Sequence, residues 1–167
     1  GVALTVTAGV LDLDATTTIT GGAGTDIINL TATGAYTADA AAVTLVETIN
    51  ILAGGAGADG SLDLGSYATA LTVSGSTLIS GEDMDIDGQS ATGALTLIGG
   101  AGANTLTGGT GSDTLTGGSA ADVLETGNGT NLVNAGAGND VITGGTGADT
   151  INGEDGADTI DGINGAN

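Results

Sequence analysis

Residues 99–161 read GGAGANTLT, GGTGSDTLT, GGSAADVLE, TGNGTNLVN, AGAGNDVIT, GGTGADTIN and GEDGADTID, seven consecutive nine-residue units. A broken eighth, GINGAN, follows to Asn167. The template is G-G-x-G-x-D-x-U-x, with U a large aliphatic. In Gly108–Thr116, Gly108, Gly109 and Gly111 permit a tight, partly left-handed turn that a side chain would block. Such turns aim several backbone polar groups into one concavity. Asp113 adds a carboxylate at its rim. Thr114-Leu115-Thr116 then alternates polar and apolar, as a short half-buried strand does. The aliphatic slot holds Leu106, Leu115, Leu124, Val133, Ile142, Ile151 and Ile160. All are placed to point inward on a two-residue side-chain period.

Each unit is therefore turn plus strand. Two units make one coil of 18 residues, with a strand on each of two sheets. One coil cannot bury its own apolar face, so coils must stack. Stacking sorts the sixth positions onto two edges. One edge carries Asn104, Asp122, Asp140 and Asp158, the other Asp113, Asn131, Asp149 and Asn167. Neighbouring coils lie roughly 4.8 Å apart, and carboxylates that close repel unless a cation lies between them. Calcium suits the gap, because it is a hard ion that takes 6–8 oxygens, carbonyls included. Magnesium demands a tighter octahedron, and zinc wants His or Cys, which the chain lacks.

Two calcium ions that close would repel by about 3–4 kcal/mol even in bulk water. A carboxylate shared between them offsets this. The edge with consecutive Asp122, Asp140 and Asp158 is thus expected to hold calcium best, and the Asp/Asn edge less well. Ala120 stands where its turn has the fourth-position glycine, and a distorted loop is expected there. Asp and Gly also serve simply to make turns. Seven units in register favour the calcium reading.

Composition narrows the function. The 167 residues contain 34 Gly and no Pro, Cys, Trp or Phe. There is no Lys, Arg or His, and 20 acidic residues give a net charge of -20. Nothing can neutralise nucleic-acid phosphate, and an anionic membrane surface would repel the chain. No run reads as long enough to cross a bilayer, and no stretch reads as a signal peptide. Without Cys there are no disulfides. The 40% hydrophobic content, mostly small and aliphatic, suits thin stacked coils. Gly1 in place of an initiator Met reads as a processed piece.

Upstream of the array the pattern loosens. Leu4–Thr7 and Leu11–Asp14 read as strands, and Ile19 begins another. Gly21–Asn29, GGAGTDIIN, is one clean unit with Asp26 in the carboxylate position. Thr37–Ala42 reads as a short helix or a wide loop. Val43–Val46 and Thr48–Ile51 read as strands. Gly54–Asp59, GGAGAD, is a second isolated turn with Asp59 in place, followed by a degenerate strand, Gly60–Leu64. Ala70–Ser74, Thr77–Ser80, Met84–Asp87 and Ala94–Ile98 read as further strands. Glu82, Asp83, Asp85 and Asp87 read as a solvated acidic loop, with one more calcium as the alternative. The domain reading is one continuous solenoid: 1–98 irregular with isolated calcium-type turns, 99–167 regular.

The array at 99–161 resembles the RTX, or hemolysin-type, calcium-binding β-roll. Gly21–Asn29 and Gly54–Asp59 resemble it more weakly. The resemblance implies an all-β, right-handed parallel β-helix with calcium in the turns. It implies carboxylate ligands at Asp113, Asp122, Asp140, Asp149 and Asp158, with Asp26, Asp59, Asn104 and Asn131 as further candidates. It implies carbonyl ligands at Gly109, Gly111, Gly118, Gly136, Gly138, Gly145, Gly147 and Gly156. Asn104, Asn131, Glu154 and Ile163 depart from the pattern. The family includes secreted proteases, lipases, toxins, adhesins and bacterial surface-layer proteins. The Ala-, Thr- and Val-rich first half is similar in style to the surface-layer members. The family's C-terminal export tail is not seen.

Three functions compete. The first is an extracellular, self-assembling layer or fibre module on the bacterial surface. It is expected because no catalytic chemistry is visible and both solenoid ends look uncapped, which invites edge pairing. Its partners would be further copies of itself, with cell-surface polysaccharide as another candidate. The second is the calcium-binding folding and secretion module of a secreted enzyme, toxin or adhesin. Without His this chain holds no Ser-His-Asp triad and no H-E-x-x-H zinc site, so no enzyme is expected here. The third is an ice- or carbohydrate-binding adhesin segment, from T-x-T pairs at Thr105/Thr107 and Thr114/Thr116 that would stack into a ladder. The next strands break it with Val123/Glu125 and Leu132/Asn134. In all three, calcium is expected to switch folding on, since the self-repelling chain cannot order itself alone.

Overall fold

The computed structural model describes residues 12–13, 19–32, 36–39, 43–53 and 59–162. The expected strand at Leu4–Thr7, most of the turn at Gly54–Asp59, and Asn167 lie outside these residues. The described strands begin with β1 (Asp12–Leu13), β2 (Ile19–Thr20), β3 (Ile27–Ala32), β4 (Tyr36–Asp39), β5 (Val43–Thr44) and β6 (Thr48–Ala53). They continue with β7 (Gly60–Asp63), β8 (Leu71–Ser74), β9 (Met84–Asp87), β10 (Leu95–Ile98), β11 (Thr105–Thr107) and β12 (Thr114–Gly118). The last are β13 (Val123–Glu125), β14 (Leu132–Ala137), β15 (Val141–Thr143), β16 (Thr150–Asp155) and β17 (Thr159–Asp161). No helix occurs among the described residues.

The strands sort into an eight-stranded sheet, β1-β4-β7-β9-β11-β13-β15-β17, and a seven-stranded sheet, β16-β14-β12-β10-β8-β6-β3. Strands β2 and β5 form a small third sheet. Every pairing is parallel. From β7 onward, consecutive strands alternate between the two large sheets. The chain is an all-β parallel solenoid.

The step from coil to coil changes along the stack. Ser61 pairs with Asp85, a step of 24 residues. Asp85 pairs with Thr105, a step of 20. Thereafter Thr105, Val123, Val141 and Thr159 pair in steps of 18. The nine-residue period thus sets the coil length only where the motif is intact. Side chains alternate in and out. Leu106, Leu115, Leu124, Val133 and Ile142 of the aliphatic slot are fully buried. Ile151 is only partly buried and Ile160 is 51% exposed, because no described coil follows to cover them.

Four local expectations are corrected. Tyr36–Asp39 is strand, not helix or wide loop, because it must pair with Gly60–Asp63. Strand β5 stops at Thr44, since Leu45 turns left-handed at φ 57°. Thr77–Ser80 is a turn, stitched by Leu78 N–H donating to Gly75 O at 2.8 Å and Glu82 N–H donating to Ile79 O at 3.0 Å. In Gly108–Thr116 neither Gly109 nor Gly111 is left-handed. On the same edge the left-handed turn appears one coil later, at Gly127 (φ 77°) and Gly129 (φ 119°), and the unit between has a positive φ at Gly118 (143°). In the first coil the glycines are needed for space instead: a Cβ at Gly109 would lie 2.3 Å from Ala91 O.

Candidate calcium site

The motif's carboxylates are not at a solvated rim. Asp113, Asp122 and Asp140 are each 1% exposed, and Asp149 is 6% exposed. Each reaches inward and ties its own coil to the coil before it. Asn104 N–H donates to Asp122 Oδ1 at 2.7 Å, Asp122 N–H to Asp140 Oδ1 at 2.8 Å, and Asp140 N–H to Asp158 Oδ1 at 3.0 Å. On the other edge Leu95 N–H donates to Asp113 Oδ1, Asp113 N–H to Asn131 Oδ1, and Asn131 N–H to Asp149 Oδ1, at 2.8–2.9 Å. The two expected edges therefore exist as two ladders.

The second carboxylate oxygen shows why the motif needs its glycines. Gly109 N–H donates to Asp113 Oδ2 at 2.8 Å within one turn. A Cβ at Gly117 would lie 2.5 Å from Asp122 Oδ2, so the first-position glycine makes room for the carboxylate. Asp122 Oδ2 and Asp140 Oδ2 are buried with no hydrogen-bond partner. Such orphaned acceptors cost about 1–3 kcal/mol each, and more when charged. Burial, foremost, pushes the Asp122 carboxyl up from its ordinary value, with Asp140 and Asp83 adding to the rise. Hydrogen bonds from the Asn104 backbone and side chain pull the other way.

The asparagines relieve the same strain differently. Asn104 Nδ2 donates to Asp122 Oδ1 at 2.9 Å, and Asn131 Nδ2 to Asp149 Oδ1 at 3.0 Å. An amide N–H thus bridges those gaps. The Asp122–Asp140 and Asp140–Asp158 gaps have acid on both sides and no such donor.

Carbonyls complete the oxygen set. Those of Gly109, Gly111, Gly118 and Gly138 face Gly127, Gly129, Gly136 and Gly156 one coil on, where a Cβ would approach within 1.5–2.2 Å. Gly145 and Gly147 stack in the same way on Gly127 and Gly129. Gly109 O also accepts from Asn128 N–H at 2.8 Å. At the position after Gly136 in its column, Glu154 holds φ 66° despite its side chain. Ala120 takes the fourth position of its turn, and Asp122 N–H still donates to Asp140 Oδ1 at 2.8 Å. No three acidic side chains converge as a ready-made cluster among the described residues. A cation here must draw on carbonyls as well as carboxylates. Only oxygen is offered, which fits calcium.

A family model for the RTX calcium-binding nonapeptide repeat matches residues 18–32, 98–133 and 134–167, in four copies and just over half of the chain. The chain belongs to the RTX calcium-binding repeat family. RTX nonapeptide repeats bind calcium, and proteins that carry them are typically secreted. No curated protein and no solved structure matches the chain.

Outside the main RTX array the structure places the isolated turns and adds Glu47, which the motif did not show. Asp26 is buried, and its Oδ2 accepts from Gly22 N–H at 2.6 Å. Asp26 N–H donates to Glu47 Oε2 at 2.7 Å, so Glu47 takes the ladder role in that coil. The signal was present: Glu47-Thr48-Ile49-Asn50 repeats Asp149-Thr150-Ile151-Asn152 with Glu for Asp. Asp59 is exposed and accepts from Asp83 N–H at 3.0 Å. In the acidic loop Asp83, Asp85 and Asp87 are exposed as expected, but Glu82 is 0% exposed, because its turn folds the side chain inward.

Proposed function

We propose that this RTX module is a non-enzymatic, extracellular structural element whose regular coils calcium stabilises and that then self-assembles into a bacterial surface layer or fibre. The observation that supports this reading is the contrast between the two sheet faces. The outer rows of the eight-stranded sheet include Asp63, Asp85, Asp87, Glu125 and Asp161. The paired rows of the seven-stranded sheet run Thr48, Thr72, Thr96, Thr114, Leu132, Thr150 and Asn50, Ser74, Ile98, Thr116, Asn134, Asn152. These two rows carry no charge, on a chain of net charge -20; the next row of the same sheet is neutral at Gly118 and Gly136 and ends on Glu154. Two copies can approach through the two neutral rows, away from that end, without opposing carboxylates. Asn152 Nδ2 donates to Asn134 Oδ1 at 2.8 Å, and Asn50 to Asn29 likewise, which keeps the rows in register.

The ice-binding alternative is weakened by the same topology. Thr105/Thr107 and Thr114/Thr116 lie on different sheets and do not stack on each other. Thr105/Thr107 sit between Asp85/Asp87 and Val123/Glu125. Cell-surface polysaccharide remains a candidate partner for the charge-free rows. Light scattering of the purified chain tests the proposal. Growth of assemblies in millimolar calcium, reversed by chelator, supports it. A monomer at millimolar calcium contradicts it.

A further inference from the structure

The orphaned oxygens of the first edge form a series, one in each of four successive coils: Glu82 Oε1, Asn104 Oδ1, Asp122 Oδ2 and Asp140 Oδ2. Three belong to nonapeptide units. Glu82 does not. It lies on the same edge one coil before the first unit and outside the residues matched by the family model. We infer that Glu82 and Asn104 flank a further calcium site, at the junction between the irregular and the regular coils.

Several contacts place the two residues on adjoining turns. Ala101 N–H donates to Leu78 O at 3.1 Å, and Ala103 N–H to Asp83 Oδ1 at 2.8 Å. A Cβ at Gly102 would lie 2.2 Å from Glu82 O and 2.6 Å from Asp83 Oδ1. Glu82 copies the motif carboxylate in its own turn. Its Oε2 accepts from Ile79 N–H at 2.8 Å, as Asp113 Oδ2 accepts from Gly109 N–H. Its Oε1 is left over. Asn104 commits Nδ2 to Gly102 O and to Asp122 in the later coil, which leaves Oδ1 on the opposite side of the amide without a donor. A buried carboxylate needs a counter-charge or a proton, and the chain has no Lys, Arg or His to supply one. Asp83 and the turn carbonyls are within the same pair of turns and add oxygen, so the ligand class is a hard divalent cation.

The inference rests on calcium binding by the repeats. Equilibrium dialysis with calcium on the full chain separates the two. The parent chain and Glu82→Gln are compared, each with a thermal melt in chelator and in calcium. Gln keeps the acceptor for Ile79 N–H and removes the charge. The expected result is one fewer calcium ion per chain, with a melting temperature unchanged or raised in chelator and lowered in calcium. An unchanged ion count and an unchanged calcium-loaded melt overturn the inference while leaving the repeat sites standing. No calcium bound by the parent chain overturns both. Should Glu82→Gln not fold, Glu82→Asp decides. It keeps the charge and withdraws the carboxylate by one methylene, so at a cation site its melting temperature falls more in calcium than in chelator, and an equal fall in both buffers overturns the inference.

Discussion

Between Gly60 and Asp83 the solenoid buries Leu62, Leu64, Tyr67, Leu71, Val73 and Leu78, whereas between Thr105 and Asp122 the buried apolar residues are Leu106 and Leu115. The first stretch steps 24 residues per coil and the second 18. A wide coil holds several aliphatics, each worth about 1.5–3 kcal/mol when fully buried. It also holds Tyr67, whose hydroxyl donates to Val46 O and accepts from Val46 N–H. A narrow coil has room for little more than one aliphatic per strand. It spends its turns on inward carboxylates and close carbonyl stacking. The same architecture is thus held by apolar packing in one region and by an oxygen-lined column in the other.

Core truncation breaks this comparison most forcefully. Ile86→Ala in the irregular region is expected to cost about 2–5 kcal/mol, equally in chelator and in calcium, by thermal or denaturant melts. A cost that appeared only with calcium would contradict the division. Next comes the glycine pair. Gly81 holds φ 83° in open space, so Gly81→Ala should cost about 1–2 kcal/mol. Gly147→Ala should cost more, because its Cβ would lie 1.6 Å from Gly129 O and must push adjacent coils away from each other.

Asp140→Asn sharpens the comparison further. It keeps an acceptor for Asp122 N–H, as Asn131 does for Asp113. It is expected to weaken calcium binding severalfold in titration calorimetry and to leave the metal-free fold as stable or more so. The smallest effect is on pH. Burial raises the Asp122 pKa in the folded state, so that state binds the proton more tightly than the unfolded chain. The stability this contributes is present below the ordinary carboxylate value and is lost as pH rises through the raised one. In metal-free buffer the melting temperature should therefore fall as pH rises through that window, and Asp122→Asn should flatten the slope.

Much of this was legible in the residues. Seven glycine-rich units carry the coil length, the two edges and the inward aliphatics, because one period serves turn, strand and stack together. Glu47 escaped, and Glu82 read as part of a solvated loop, because the longer side chain reaches the same place from a coil of another length. Thr77–Ser80 has strand-forming residues but turns, since Leu78 is wanted in the core and Ile79 N–H is held by Glu82. The inward carboxylates at Asp113 and Asp122 escaped too. A pattern of residue types shows that an acid is present, not which way it faces.

Hydrogen exchange on the full chain, read by mass spectrometry in millimolar calcium and in chelator, tests the division most directly. The expected result is that amides of Thr105–Asp161 are less protected in chelator than in calcium, while those of Thr48–Ala53 and Gly60–Ser74 are protected equally in both. Equal protection of Thr105–Asp161 in the two buffers would contradict a cation-held array.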